Sequence, residues 1–131
     1  MSINIFYLSI GAVLGAILRY LVTHFSSEIS QHRGFPYGTL IVNVAGSLIV
    51  GFVLTWTADH THDHWRLFVA TGFCGAFTTF SAFAHESMGY FRDGRLGTFA
   101  LNVVLNNFLC MAAVVLGTYL REAAGRNVIG Q

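Results

Sequence analysis

The chain has 131 residues, 54% of them apolar and only 10% charged, with a formal net charge of +1. A soluble domain carries about a quarter charged residues, so this composition excludes a water-exposed globular surface and identifies an integral membrane protein. The near-neutral charge gives no basis for nucleic-acid binding, and no nucleic-acid partner is expected.

Four apolar stretches reach the roughly 20 residues that a helix needs to cross hydrocarbon. In chain order they cover residues 3–23, 37–56, 65–88 and 96–120, separated by polar breaks at 24–36, 57–64 and 89–95. Residues 1–131 read as one membrane domain. The first stretch is not read as a cleavable signal, because Arg19 lies inside it and no basic head precedes it. Tyr7, Tyr20, Tyr37, Trp56, Trp65, Tyr90 and Tyr119 fall mostly near span ends, where interfacial aromatics belong.

The first span carries Gly11, Gly15 and Arg19 at four-residue intervals, hence on one helix face. Small residues at this spacing let two backbones approach closely. Packing within the bundle and packing between subunits both satisfy the pattern. A guanidinium in hydrocarbon is costly unless it snorkels, pairs or faces water, and an anion-attracting role suits Arg19. The second span places Asn43 among Val42, Val44 and Ala45, and follows it with the small residues Gly46, Ser47 and Gly51. The break after it holds Asp59-His60-Thr61-His62-Asp63-His64, which has metal-ligand side chains but no fixed geometry and reads first as a solvated loop.

The third span is the most informative. Between Gly72 and Glu86 it combines Gly72, Gly75, Thr78, Thr79, Ser81 and Glu86 with Phe80 and Phe83. Hydrocarbon tolerates broken backbone and polar side chains only where protein or a water-filled path satisfies them. Glycines upstream of a hydroxyl run free the backbone to leave helical geometry. We therefore expect a broken third helix with a polar site flanked by phenylalanines. The fourth span adds Asn102, Asn106 and Asn107, and Cys74 and Cys110 read as small core hydrophobes. Apart from Glu86 the candidate donors are neutral, which suits an anion or small polar solute better than a cation, whose pores use acidic rings. No nucleophile with a base is apparent, so no enzyme is expected.

With four spans, the N-terminus, middle loop and C-terminus share one side with Arg66, Arg121 and Arg126. The other side holds Arg33, Arg92 and Arg95, with Arg19 leaning toward it. Arginine counts orient membrane proteins, and here they nearly cancel. Dual topology, with copies inserted both ways and paired head to tail, is the favoured reading.

Three pieces in order carry a resemblance: Gly11-Ala12-x-x-Gly15-Ala16-x-x-Arg19-Tyr20, Gly38-Thr39-Leu40-x-Val42-Asn43-x-x-Gly46-Ser47, and Gly72-Phe73-Cys74-Gly75-x-x-Thr78-Thr79-Phe80-Ser81-x-Phe83-x-x-Glu86. With them the chain resembles the CrcB or Fluc family of fluoride channels over all four spans. The resemblance implies an all-α antiparallel homodimer in the bacterial inner membrane, with two fluoride paths that passively export cytoplasmic fluoride. It implies a pathway of Asn43, Thr79, Phe80, Ser81, Phe83, Glu86 and, on the fourth span, Asn106, with Arg19 near the vestibule. It also implies a structural sodium ion, not transported, held by the backbone carbonyls of Gly75 and Thr78 from both subunits. Two departures stand out: Ala82 occupies a position where the family has threonine, and Asn102 and Asn106 align where it often has tyrosine and serine. Two rivals from other classes are a small dual-topology multidrug or cation exporter and a non-conducting membrane assembly protein. The exporter design has a carboxylate in the first helix, where this chain has Arg19.

Overall fold

The computed structural model describes residues 1–58 and 63–129, so Asp59, His60, Thr61 and His62 of the histidine-rich tract lie outside the described residues. Among the described residues no group of three metal-ligating side chains comes together, and every regular element is helical. The first is α1 (Ser2–Phe25), followed by the short α2 (Ser27–Arg33) and by α3 (Tyr37–Trp56). The third span is composite: α4 (Asp63–Trp65), a π-helical stretch (Arg66–Cys74), α5 (Gly75–Phe77) and α6 (Phe80–Arg92). The chain closes with α7 (Leu96–Ile129). Ser2–Phe25, Tyr37–Trp56, Asp63–Arg92 and Leu96–Arg126 are each long and apolar enough to cross a membrane. At about 1.5 Å per residue, even the shortest covers the hydrocarbon thickness.

The polar break at 24–36 contains α2, which the apolar pattern does not reveal. Its signals are local. Glu28 lies in the first turn, His32 and Arg33 in the last, and Gly34 ends the helix in the left-handed region at φ 62°. The Arg95 guanidinium donates to the Gly34 carbonyl and lies 4.8 Å from the Tyr90 ring centroid, tying the first polar break to the last.

Packing rests on close backbone approach. The most extensive pairings are α3 with α7 and α1 with the π-helical stretch. A Cβ on Gly11 would overlap the Phe68 carbonyl, and one on Gly15 the Phe73 carbonyl. The small-residue face of α1 is thus used within the chain. Lipid supplies little hydrophobic drive for helix association, so such contacts carry it. The buried set mixes Phe35, Val42, Val53, Cys74, Phe77, Phe83 and Ala113 with Thr39, Thr57, Thr79, Ser87, Asn102 and Asn106. In a bilayer the protein interior is where polar groups find partners. Both cysteines are free, Cys74 among the buried residues.

Candidate functional site

Side chains build the interruption between α5 and α6. Thr78 is extended at φ −80° and ψ 159°, and Thr79 continues at φ −151° and ψ 105°. The Thr78 N–H and hydroxyl both donate to the Cys74 carbonyl, at 3.0 and 2.9 Å. The Thr79 N–H, which in a continuous helix would close on the Gly75 carbonyl, donates instead to Asn43 Oδ1 at 2.8 Å. Asn43 Nδ2 returns a bond to the Thr79 carbonyl at 3.3 Å. One side-chain amide thus pairs with one extended peptide as a neighbouring strand would, and satisfies groups that hydrocarbon would leave bare. Gly46 makes room, since a Cβ there would overlap Thr78 Cγ2.

Helix α6 restarts behind a side-chain cap. Thr79 Oγ1 accepts the Ala82 N–H at 3.2 Å and shares a hydrogen bond with Ser81 Oγ at 3.3 Å. The positive end of the α6 dipole therefore lies at the interruption, inside the span. Phe80 is 77% exposed while Phe83 is 8% exposed, with ring centroids 5.4 Å apart. Together with Asn43, Ser47, Thr78 and Asn106 they line an open groove of about 340 Å³.

Asn106 joins the site through Asn43, whose Nδ2 donates to its Oδ1 at 3.0 Å. Behind it stand Asn102, fully buried, and Ser87. Asn106 Nδ2 donates to Asn102 Oδ1 at 2.8 Å and Asn102 Nδ2 to Ser87 Oγ at 3.0 Å. Asn107 also lines the groove but stands outside this chain of amides, its Nδ2 donating to the Val103 carbonyl of its own helix at 2.7 Å. Ser87 escaped the sequence reading. Its spacing of four from Phe83 was the available signal, and its hydroxyl donates to the Phe83 carbonyl at 2.7 Å.

Glu86 belongs to a second cavity of about 440 Å³, with Thr39, Tyr90 and Arg95 on its walls. Thr39 Oγ1 donates to Glu86 Oε1 at 2.7 Å, while Glu86 Oε2 is buried without a partner. The two cavities are consecutive along the chain: Thr39 is one turn before Asn43, and Glu86 one turn after Phe83. Arg19 lines neither cavity. It approaches the Thr78 carbonyl from α1, with Nη1 at 3.5 Å.

The interruption also creates carbonyls with a capacity for a cation. Gly75 loses the Thr79 N–H to Asn43, and Thr78 loses the Ala82 N–H to the Thr79 hydroxyl and keeps only the long contact from Arg19 Nη1 at 3.5 Å. Two such oxygens are the neutral, hard ligands that unwound membrane helices offer to sodium, so the donor set fits that ion.

Residues 6–118 match the family described as CrcB-like protein, Camphor Resistance (CrcB). A Koribacter versatilis protein named fluoride-specific ion channel FluC is 46% identical over 111 residues, covering 83% of this chain and 87% of its own length. A Methanococcus maripaludis protein of the same name is 44% identical over 115 residues, 87% of this chain and 92% of its own. A third, from Shewanella amazonensis, is 39% identical over 118 residues, 89% and 94% respectively.

Proposed function

The chain belongs to the CrcB-like family, and on that premise we propose that it forms a fluoride-selective channel through which cytoplasmic fluoride leaves the cell passively. It is a channel-family protein and not an enzyme. The observation that carries the reading is the groove lined by Asn43, Ser47, Thr78, Phe80, Phe83 and Asn106, neutral throughout and placed at a helix N-terminus within a span. Fluoride is small and tightly hydrated, so a pore must replace its water with donors that do not hold it too long. A fixed guanidinium would trap it, whereas ring edges and hydroxyls offer weaker, repeated contacts.

The donor inventory narrows the roles. Both hydrogens of the Asn43 amide are engaged, by the Thr79 carbonyl and Asn106. Thr79 and Ser81 share one contact in which either oxygen can be the donor, so their hydroxyl hydrogens can turn to a passing anion. The ring edges of Phe80 and Phe83 complete the contact, and Asn106 supports Asn43. Further along, Thr39 and Glu86 line the adjoining cavity at one end of the route. Arg19 adds positive potential beside the interruption.

The assembly in this proposal is an antiparallel, dual-topology homodimer in the bacterial inner membrane, with the third helix of each subunit broken at Thr78 and Thr79. The 77% exposure of Phe80 beside an open groove supports a second copy covering it. The Gly75 and Thr78 carbonyls of the two subunits would hold a structural sodium ion, which supplies positive charge that stabilises the unwound backbone. Export follows from chemistry: HF crosses lipid, dissociates in a less acidic cytoplasm, and leaves trapped fluoride to run down its gradient.

The test is fluoride efflux from liposomes containing the purified protein, with chloride efflux and Phe80→Ile measured in parallel. Fast fluoride release with chloride retained, lost in Phe80→Ile, is expected. Equal chloride release would overturn selectivity, and silence from a folded, sodium-supplied protein would overturn the channel reading.

A further inference from the structure

Five hydrogen bonds run in one sense from the interruption back to α6. Thr79 N–H donates to Asn43 Oδ1, Asn43 Nδ2 to Asn106 Oδ1, and Asn106 Nδ2 to Asn102 Oδ1, at 2.8, 3.0 and 2.8 Å. Asn102 Nδ2 then donates to Ser87 Oγ at 3.0 Å, and Ser87 Oγ to the Phe83 carbonyl at 2.7 Å. The two ends dictate the direction, because a backbone N–H only donates and a backbone carbonyl only accepts. Asn43 must therefore turn its oxygen to Thr79, which turns its nitrogen to Asn106, and the same choice passes on through Asn102 to Ser87. Aligned bonds of this kind reinforce one another in a low-dielectric interior. Asn102 and Ser87 are buried, so a broken link there leaves a desolvated polar group.

We propose that Asn102, braced by Ser87, is a positioning residue of the fluoride route: it orients the Asn106 and Asn43 amides and so holds the extended Thr79 peptide that sets Phe80 at the groove. Asn102 lines neither cavity, so it acts through its neighbours and not by touching an ion. Asn106 keeps a second, longer bond to the Asn102 carbonyl at 3.2 Å. Removing the Asn102 side chain therefore weakens the relay without abolishing it. The inference rests on the channel reading, and its test separates the two.

Fluoride efflux from liposomes is compared for the parent, Asn102→Leu, Asn43→Ala and the double variant. Asn102→Leu is expected to slow efflux about tenfold in the parent and less than about twofold on the Asn43→Ala background, the non-additivity of residues acting in one network. Ser87→Ala should slow it in the same sense, and Ser87→Thr, which keeps the hydroxyl, should restore it. Equal slowing on both backgrounds, or no slowing at all, overturns the proposal. Hydrogen–deuterium exchange of the Thr79 amide in detergent gives a readout that needs no conduction. Faster exchange in Asn102→Leu supports the relay, and unchanged exchange overturns it. That measurement decides if the parent passes no fluoride, which sinks only the channel reading, or if Asn43→Ala is too slow to compare. Ser87→Ala takes both readouts if Asn102→Leu does not fold.

Discussion

The helix pair α3 and α7 is joined in two different ways along its length. At one end Gly51 and Gly117 bring the backbones together, and a Cβ on either would overlap the Val114 or Leu48 carbonyl. Thr55 and Thr118 add hydroxyl bonds to the Gly51 carbonyl at 2.8 and 3.4 Å. At the other end Asn43 and Asn106 reach across with amides, and a groove of about 340 Å³ remains beside them. The contrast separates two solutions to one problem. Close backbone contact holds helices in lipid and leaves only an apolar groove of about 210 Å³ beside Gly117, whereas amide bridges hold them and leave polar side chains at a cavity. The first end is an apolar backbone joint and the second is where the proposed route is placed.

The largest effect should come from filling the glycine end. Gly51→Val would drive a branched side chain into the backbone of α7, which cannot yield as a flexible side chain can. Overpacking costs about 1–3 kcal/mol even in forgiving cores. Loss of most folded, monodisperse protein in detergent is expected, and a stable, well-behaved variant would show that the backbones can part.

Next in size is the amide end. Asn43→Leu removes the partner of an extended peptide and leaves a buried N–H unsatisfied, at about 1–3 kcal/mol. Because that peptide sets the Phe80–Ser81 turn, fluoride efflux should fall roughly tenfold to a hundredfold. The thermal stability of the purified protein should fall less than in the glycine-end variant. Efflux preserved beside a large stability loss would make the amides glue and nothing more.

A smaller change tests the boundary between the two regions. Gly46→Ala directs a methyl at Thr78 Cγ2, and Thr78 is held by its bond to the Cys74 carbonyl. A cost of about 1 kcal/mol in stability and a few-fold slower efflux are expected. Thr78→Ser, which removes the opposing methyl and keeps the hydroxyl, should restore both. Failure of that rescue would mean the strain lies elsewhere.

The same contrast explains what could be read before any coordinates. Four crossing helices were legible because hydrocarbon imposes a length and an apolar content that a sequence cannot hide. The polar residues of the groove and of the turn beside it were legible one at a time, since Asn43, Thr78, Thr79 and Ser81 stand out in apolar runs. Their grouping was not: which of Asn102, Asn106 and Asn107 turns inward depends on the rotation of α7 about its axis. Ser87, despite its spacing of four from Phe83, did not stand out because a serine bonding back to its own helix is ordinary. The π-helical stretch Arg66–Cys74 was illegible for a related reason. A wider turn follows from what packs against it, here the glycine face of α1, and no local propensity marks it.

The smallest expected effect falls at the glycine end, where hydroxyls add to a joint already closed by backbone contact. Thr118→Val removes a bond to the Gly51 carbonyl at 3.4 Å and one with Thr55 at 3.3 Å while keeping the side-chain shape. Interhelical hydrogen bonds in membranes average about 0.6 kcal/mol because the separated helices also find partners. Thr55 keeps its own 2.8 Å bond to Gly51, so that carbonyl stays satisfied. A stability change of at most about 0.6 kcal/mol with fluoride efflux at the parent rate is therefore expected. The outcome bears on the whole comparison, because Thr118 and Asn106 sit on one continuous helix. If Thr118→Val slowed efflux as strongly as a groove variant, the two ends would be coupled through α7, and the division into a packed joint and a polar route would fail.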